Sequence, residues 1–203
     1  MMSERIKFQS STLQQIVAEA DVAFLLARMR RHAPHMFHHS LRVAGLFEMY
    51  WDGIEITENA RIVALRSVLL HDIGCIHIPR EQLNEPHERH TLIGIEILSS
   101  MIKEGRIDKD LILYHHENLD GTGFPFGMNW KGLSPMVRSL RIVDDFDVWS
   151  GGMYTELSIS VAMDELYMWS DIQFDRYILE RFNKIIQEAI QQKPTQIDAI
   201  SRM

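Results

Sequence analysis

The chain sets a histidine and a carboxylate side by side, His71-Asp72, at the end of an apolar helical stretch from Ala60 to Leu70. Hydrocarbon cannot absorb such a pair, because burying an unpaired carboxylate is strongly unfavourable. A cation between the two side chains is the simplest arrangement that keeps both inside a core. The fold must then bring further ligands to the same point. All ten histidines lie between His32 and His116, a clustering that composition does not explain.

The candidate ligands are His39, His71, Asp72, His90, His115, His116 and Asp144. Imidazole and carboxylate together suit iron, manganese, zinc or nickel better than calcium or magnesium. Five histidines and two aspartates exceed the three or four protein ligands usual for one catalytic ion. Two ions bridged by one carboxylate would use them all, and Asp72, between the histidine sets, is the natural bridge. A hydroxide bridging two cations is a strong nucleophile at neutral pH. Displacement at a phosphodiester phosphorus is the reaction that such a site favours.

The elements around these residues read as helices. Apolar spacing predicts one helix over Leu13–Arg31, a second from His35 to Tyr50 after Pro34, and a third from a Thr57 cap to His71. Helical spacing returns from His87 to Lys103, and Asp108 caps a further helix ending near His116. Residues 117–134 hold turn formers (Asp120-Gly121-Thr122-Gly123, Gly127, Asn129, Gly132) and read as a loop with room for a small hairpin. Ser134-Pro135 starts another helix, with Ser as cap and Pro in the first turn. Two last helices fall at about 158–169 and 175–192, and the tail after Pro194 frays. Period-two alternation is scarce, so the fold class is all-α. Trp149, Met153, Tyr154, Met163, Tyr167, Met168 and Trp169 read as core, with a partner face as the alternative.

Composition narrows the function. The net charge of −7 over 203 residues leaves no large basic footprint, so no nucleic-acid polymer is expected as partner. No apolar run reaches the roughly 18 residues of a membrane span, and the N-terminus lacks the apolar core of a signal peptide. A single cysteine fits a reducing compartment, so the sequence predicts a cytoplasmic protein. Its expected partner is a small nucleotide phosphodiester, and a homodimer stays open.

His71-Asp72 with His39 upstream and Asp144 downstream resembles the HD-domain metal-dependent phosphohydrolases. Longer motifs sharpen the likeness: His71-Asp72-Ile73-Gly74, Ile78-Pro79, His90-x-x-x-Gly94, His115-His116-Glu117-x-x-Asp120-Gly121-x-Gly123-Phe124-Pro125, and Arg141-Ile142-x-Asp144-x-x-Asp147. In order and approximate spacing these are similar to the HD-GYP subfamily, over roughly residues 30–185. The resemblance implies a compact multi-helix bundle with a two- or three-metal site in its core, often iron or manganese. It implies hydrolysis of cyclic di-GMP to pGpG or GMP. By position, His39, His71, Asp72 and Asp144 would hold one metal, and Asp72, His90, His115 and His116 the second, with Asp72 and His71 at the catalytic centre. Gly121, Gly123, Phe124 and Pro125 would shape the substrate mouth, Phe124 taking the family's usual Tyr position. On this reading residues 1–30 form a helical extension, 31–193 the HD-GYP-like domain and 194–203 a frayed tail.

Three positions depart from the pattern. Cys75 stands where the family has a Lys that reaches the substrate phosphate or the bridging ligand. His35 stands one helical turn before His39, where trinuclear members carry a Glu, and is the candidate for a third metal. Ser150-Gly151-Gly152-Met153-Tyr154 replaces the Arg-Pro-Tyr stretch. Arg141 is read as a phosphate partner or as half of an ion pair, and Asp147 as orienting a ligand or loop. Two other functions stay open: a nucleotidase or phosphatase for a smaller nucleotide, and a degenerate, metal-stabilised signalling module.

Overall fold

The computed structural model describes residues 10–83, 89–152 and 154–192. Among the described residues ten α-helices run in the order α1 (Ser11–Ala18), α2 (Ala20–His32), α3 (Pro34–Trp51), α4 (Glu58–Leu69), α5 (Arg89–Ile97), α6 (Ser99–Lys103), α7 (Lys109–Leu113), α8 (Pro135–Trp149), α9 (Glu156–Met168) and α10 (Arg176–Gln192). Short 3-10 turns at Ile73–His77 and Arg80–Gln82 sit between α4 and α5. No strand occurs among the described residues, only an isolated bridge between Ser170 and Phe174, so the hairpin expected in the glycine-rich loop is absent. The fold is all-α.

The helix starts follow local chemistry. Thr57, Asp108, Ser134 and Thr155 each accept a backbone N–H of the first turn, removing donors that would otherwise lack partners. Pro34 and Pro135 occupy first-turn positions, where no N–H is needed. The stretch expected as one helix over Leu13–Arg31 breaks at Glu19, whose backbone is extended. Its carboxylate accepts from Arg66 Nε (2.9 Å) and Nη2 (2.6 Å) and from Arg106 Nη2 (2.7 Å). The stretch expected over His87–Lys103 divides at Leu98 into α5 and α6; residues 84–88 lie outside the described ones.

One apolar core runs through the molecule. α3, α4 and α8 contribute Phe47, Leu65, Leu69 and Phe146, and α1 and α2 add Leu13, Ile16 and Met29 to the same cluster. α10 closes it with Leu179, Phe182, Ile186 and Ala189, a spacing that puts all four on one face. Burying a side chain such as Phe146 or Phe182 stabilises by roughly 1.5–3 kcal/mol. Tyr154 and Met163 are buried as the sequence predicts and Trp149 is half-buried, whereas Tyr167, Met168 and Trp169 are exposed; Met153 and the tail after Pro194 lie outside the described residues. The three exposed side chains fall in the last turn and C-cap of α9. No described helix is long and apolar enough to cross a membrane.

Candidate metal centre

α4 ends at Leu69, and the chain tightens into the buried 3-10 turn with Asp72 at its start. Backbone contact fixes what lies against that turn. A Cβ on Gly74 would sit 1.9 Å from the His90 carbonyl oxygen and 2.9 Å from the Gly94 nitrogen. Only glycine lets α5 approach so closely, and this approach delivers His90 to Asp72. α3 carries His39, the end of α7 delivers His115 and His116, and α8 carries Asp144.

Asp72 stands between two sets of histidines. Its Oδ2 lies 3.3 Å from His71 Nε2 and 3.7 Å from His39 Nε2. Its Oδ1 lies 3.3 Å from His90 Nε2 and 3.6 Å from His115 Nε2. Asp72, His90, His115 and His116 form one group whose ligand atoms lie within 4.8 Å of one another, and His39, His71 and Asp72 form a second. Asp144 Oδ1 joins the second group, 2.7 Å from His39 Nε2 and 3.5 Å from His71 Nε2. His35 is exposed and lies outside both groups.

The donor atoms are prepared for a cation. His71 Nδ1–H donates to the Val68 carbonyl at 2.7 Å, and His115 Nδ1–H to the Ile112 carbonyl at 2.9 Å. A carbonyl only accepts, so each ring must carry a proton on Nδ1 and present Nε2 inward. His71 Nε2 is buried and makes no hydrogen bond. An orphaned imidazole nitrogen costs on the order of 1–3 kcal/mol, a cost that a divalent cation beside Asp72 and Asp144 would remove. The donor set thus fits a first-row divalent metal.

Charge is unevenly spread across the centre. Burial works against the charged forms of Asp72 and Asp144, but neighbouring imidazoles hold both carboxyls well below the usual range. Burial likewise opposes a charged His39, yet Asp144 and Asp147 raise it to about 9. On the other side, burial together with His71 and His90 lowers His115 to about 4. Burial and His115 also push His116 down. Neutral imidazole is the ligating form, so His115 and His116 are ready to bind. On the Asp144 side a cation would take the place of protons on His39 and His71.

An outer layer orients these groups. His39 Nδ1 donates to Asp147 Oδ2 at 2.7 Å, and Arg42 donates to both Asp147 oxygens at 2.8 and 2.7 Å. The Tyr154 hydroxyl also bonds Asp147. From the sequence Tyr154 reads only as core and Glu117 only as part of a motif, and Arg42 is assigned nothing. Glu117, buried, accepts from the Phe126 and Met128 amides at 2.7 and 2.9 Å, pinning the glycine-rich loop beside His116. In that loop Phe124 lies over His116 with centroids 4.7 Å apart. Gly123 has no room for a Cβ, which would meet the Asn118 nitrogen at 2.3 Å, and Gly121 adopts φ +88°. Arg141 donates to Asp145 at 3.0 Å and to Asn118 at 3.5 Å. Cys75 is 6% exposed, and burial, with Asp72 and Asp144 nearby, pushes its thiol up and keeps it protonated.

The chain is similar to known proteins. Over 173 residues the chain is 27% identical to a cyclic di-GMP phosphodiesterase of Pseudomonas aeruginosa, covering 79% of this chain and 42% of that protein. Over 128 residues it is 30% identical to a 3'3'-cGAMP-specific phosphodiesterase of Vibrio cholerae, covering 58% and 28%. The chain thus spans less than half the length of these curated relatives. In three dimensions it is similar to the HD domain of the L. monocytogenes phosphodiesterase PgpH, with a TM-score of 0.57 at 18% identity, covering 83% of this chain and 97% of that one. This likeness speaks for the fold. The HD-domain family model matches residues 36–151, more than half of the chain, and the chain belongs to the HD-domain family.

Proposed function

We propose that this chain is a metal-dependent phosphodiesterase for a cyclic dinucleotide, with cyclic di-GMP as the first substrate to test. One observation carries the reading: the two oxygens of Asp72 face different histidine sets, Oδ2 toward His39 and His71, Oδ1 toward His90 and His115. A single carboxylate would bridge two ions, with Asp144 completing one set and His116 the other. Iron and manganese suit this nitrogen–oxygen donor set. Such ions, when bound, supply Lewis-acid activation of water and of the phosphoryl oxygens.

The protein's own part is positioning. Asp72 fixes the separation of the two half-sites. Asp147 fixes the ring plane of His39, and the Val68 and Ile112 carbonyls fix those of His71 and His115. Phe124, Pro125, Gly121 and Gly123 form the mouth through which substrate enters, and Arg141 stands at its edge with Asn118. Relatives named for cyclic di-GMP and 3'3'-cGAMP hydrolysis support a cyclic dinucleotide. Action in the cytoplasm accords with a nucleotide substrate.

The test combines metal content with turnover. The chain purified anaerobically should carry about two equivalents of iron or manganese and hydrolyse cyclic di-GMP. Asp72→Asn should lose metal and turnover together while keeping its helical circular dichroism. Two equivalents of metal in that variant would count against the bridge. Hydrolysis of mononucleotides alone would favour the smaller-substrate reading.

A further inference from the structure

Among the described residues, Arg42, Arg66, Arg106, Arg138, Arg141 and Arg176 pair with carboxylates. Arg28, Arg31 and Arg80, like Arg61 and Arg181, make no such pair among those residues, although acids outnumber bases in the chain, 28 to 21, and only these three gather at one place. With His32 and Ile76 they line a cleft of about 210 Å³. The cleft lies between the last turns of α2 and the 3-10 turns that follow Asp72. Arg28 Nη2 donates to His77 Nε2 at 3.3 Å, Arg80 Nη2 to the Arg31 carbonyl at 2.7 Å, and His32 Nε2 to the Ile78 carbonyl at 2.7 Å. These contacts hold the groups in place, and among the described residues no carboxylate pairs with the three guanidinium groups. Ile76, largely buried, gives the cleft an apolar wall.

Basic side chains in a final helical turn complement the helix dipole, which accounts for Arg31 and His32. It does not account for Arg80, which comes from another segment, or for Arg28, one turn earlier. We propose that this cleft is a phosphomonoester site that takes the terminal phosphate of a nucleotide. Guanidinium forks match phosphate oxygens in bidentate fashion, and three of them suit a dianion better than the single charge of a phosphodiester. The volume falls below that of a pocket for a whole drug-sized ligand. It takes the phosphoryl group and its nearest atoms, and the base stays outside, where guanidinium planes offer stacking.

The cleft and the metal centre share a turn. At about 2 Å of rise per residue, Ile76 stands roughly 8 Å along the chain from Asp72. Hydrolysis of one phosphodiester in a cyclic dinucleotide breaks one P–O ester bond and bonds the water oxygen to phosphorus. One water proton ends on the freed ribose hydroxyl, and the other is released as the new monoester ionises. The linear product therefore carries the kind of phosphate that the cleft fits and the cyclic substrate lacks. The source of the ligand rests on the phosphodiesterase reading; the phosphate chemistry of the cleft does not.

Titration calorimetry of the full chain with GMP, inorganic phosphate and cyclic di-GMP tests this. The double variant Arg28→Gln/Arg80→Gln should weaken GMP at least tenfold and leave cyclic di-GMP within twofold. Arg31→Gln, with its melting temperature checked, provides an independent second variant. Unchanged GMP affinity in both variants overturns the proposal, as does a loss for inorganic phosphate alone or an equal loss for cyclic di-GMP. If GMP binding falls while wild-type protein hydrolyses no cyclic dinucleotide, the cleft stands and the phosphodiesterase reading fails. If hydrolysis proceeds and GMP binding is untouched, the reverse holds.

Discussion

His39 Nδ1 and Asp147 Oδ2 lie 2.7 Å apart, while the opposite nitrogen of the same ring lies 2.7 Å from Asp144. Asp147 is in turn held by Arg42 from two directions. The ring plane of His39 is thus set from outside the centre, a common device for raising ligand basicity. Asp147→Asn keeps the shape and removes the charge. Its metal affinity, measured by competition with a chromophoric chelator, should fall roughly 10- to 100-fold. An unchanged affinity would show that the Asp147 charge is unimportant to His39.

Cys75 sits in the turn after Asp72, where the resembling subfamily has Lys. A charged hydrogen bond from Lys to substrate contributes on the order of 1.5–3 kcal/mol. Cys75→Lys should therefore raise kcat/KM on cyclic di-GMP by roughly tenfold to a hundredfold. The melting temperature needs checking alongside, because the site is nearly closed to solvent. A stable variant with no gain would place the missing cation elsewhere.

Gly74 and Gly94 face each other across the same contact, yet their substitution should differ. A methyl group on Gly74 meets backbone at 1.9 Å; on Gly94 it meets the Ile112 Cγ2 methyl at 3.0 Å. Backbone cannot yield without moving His90, whereas a side-chain methyl can. Gly74→Ala should cost about 1–3 kcal/mol or more in urea unfolding, and Gly94→Ala clearly less. Equal midpoints for the two variants would contradict this contact.

Glu19 links stability to pH. Burial works against its charged form, but Arg66 and Arg106 outweigh this and hold the carboxyl below its ordinary 4.5. A group lowered on folding stabilises above its unfolded pKa and loses that contribution as pH falls through the folded value. Glu19→Gln should therefore cost about 1–3 kcal/mol at pH 7, with the gap from wild type narrowing below about pH 4.5. Chemical unfolding of both proteins at pH 7 and pH 3 measures it. A gap that is constant across this range would remove Glu19 from the linkage.

Signals carried by neighbouring residues were legible in the sequence. Thr57, Asp108 and Ser134 cap the helices that their types and positions predict, because capping involves only the next three residues. The all-α class followed from helical spacing. The cluster of five histidines with Asp72 and Asp144 followed from ligand chemistry and from motif order. What the sequence hid depends on distant partners. Glu19 breaks a helix for arginines 47 and 87 positions away. Arg42 reaches Asp147 across 105 residues, and a single chain gives no sign of that pairing. Tyr167, Met168 and Trp169 stay exposed, which their apolar character does not reveal.

Because one aspartate faces both sets of histidines, the two halves of the centre share one point of failure. A chain of this design could drift toward a single-ion form by losing an outer histidine such as His116 or His39. Losing Asp72 would dismantle both halves in one step, so descendants that abandon hydrolysis but keep an ion should retain this residue longest.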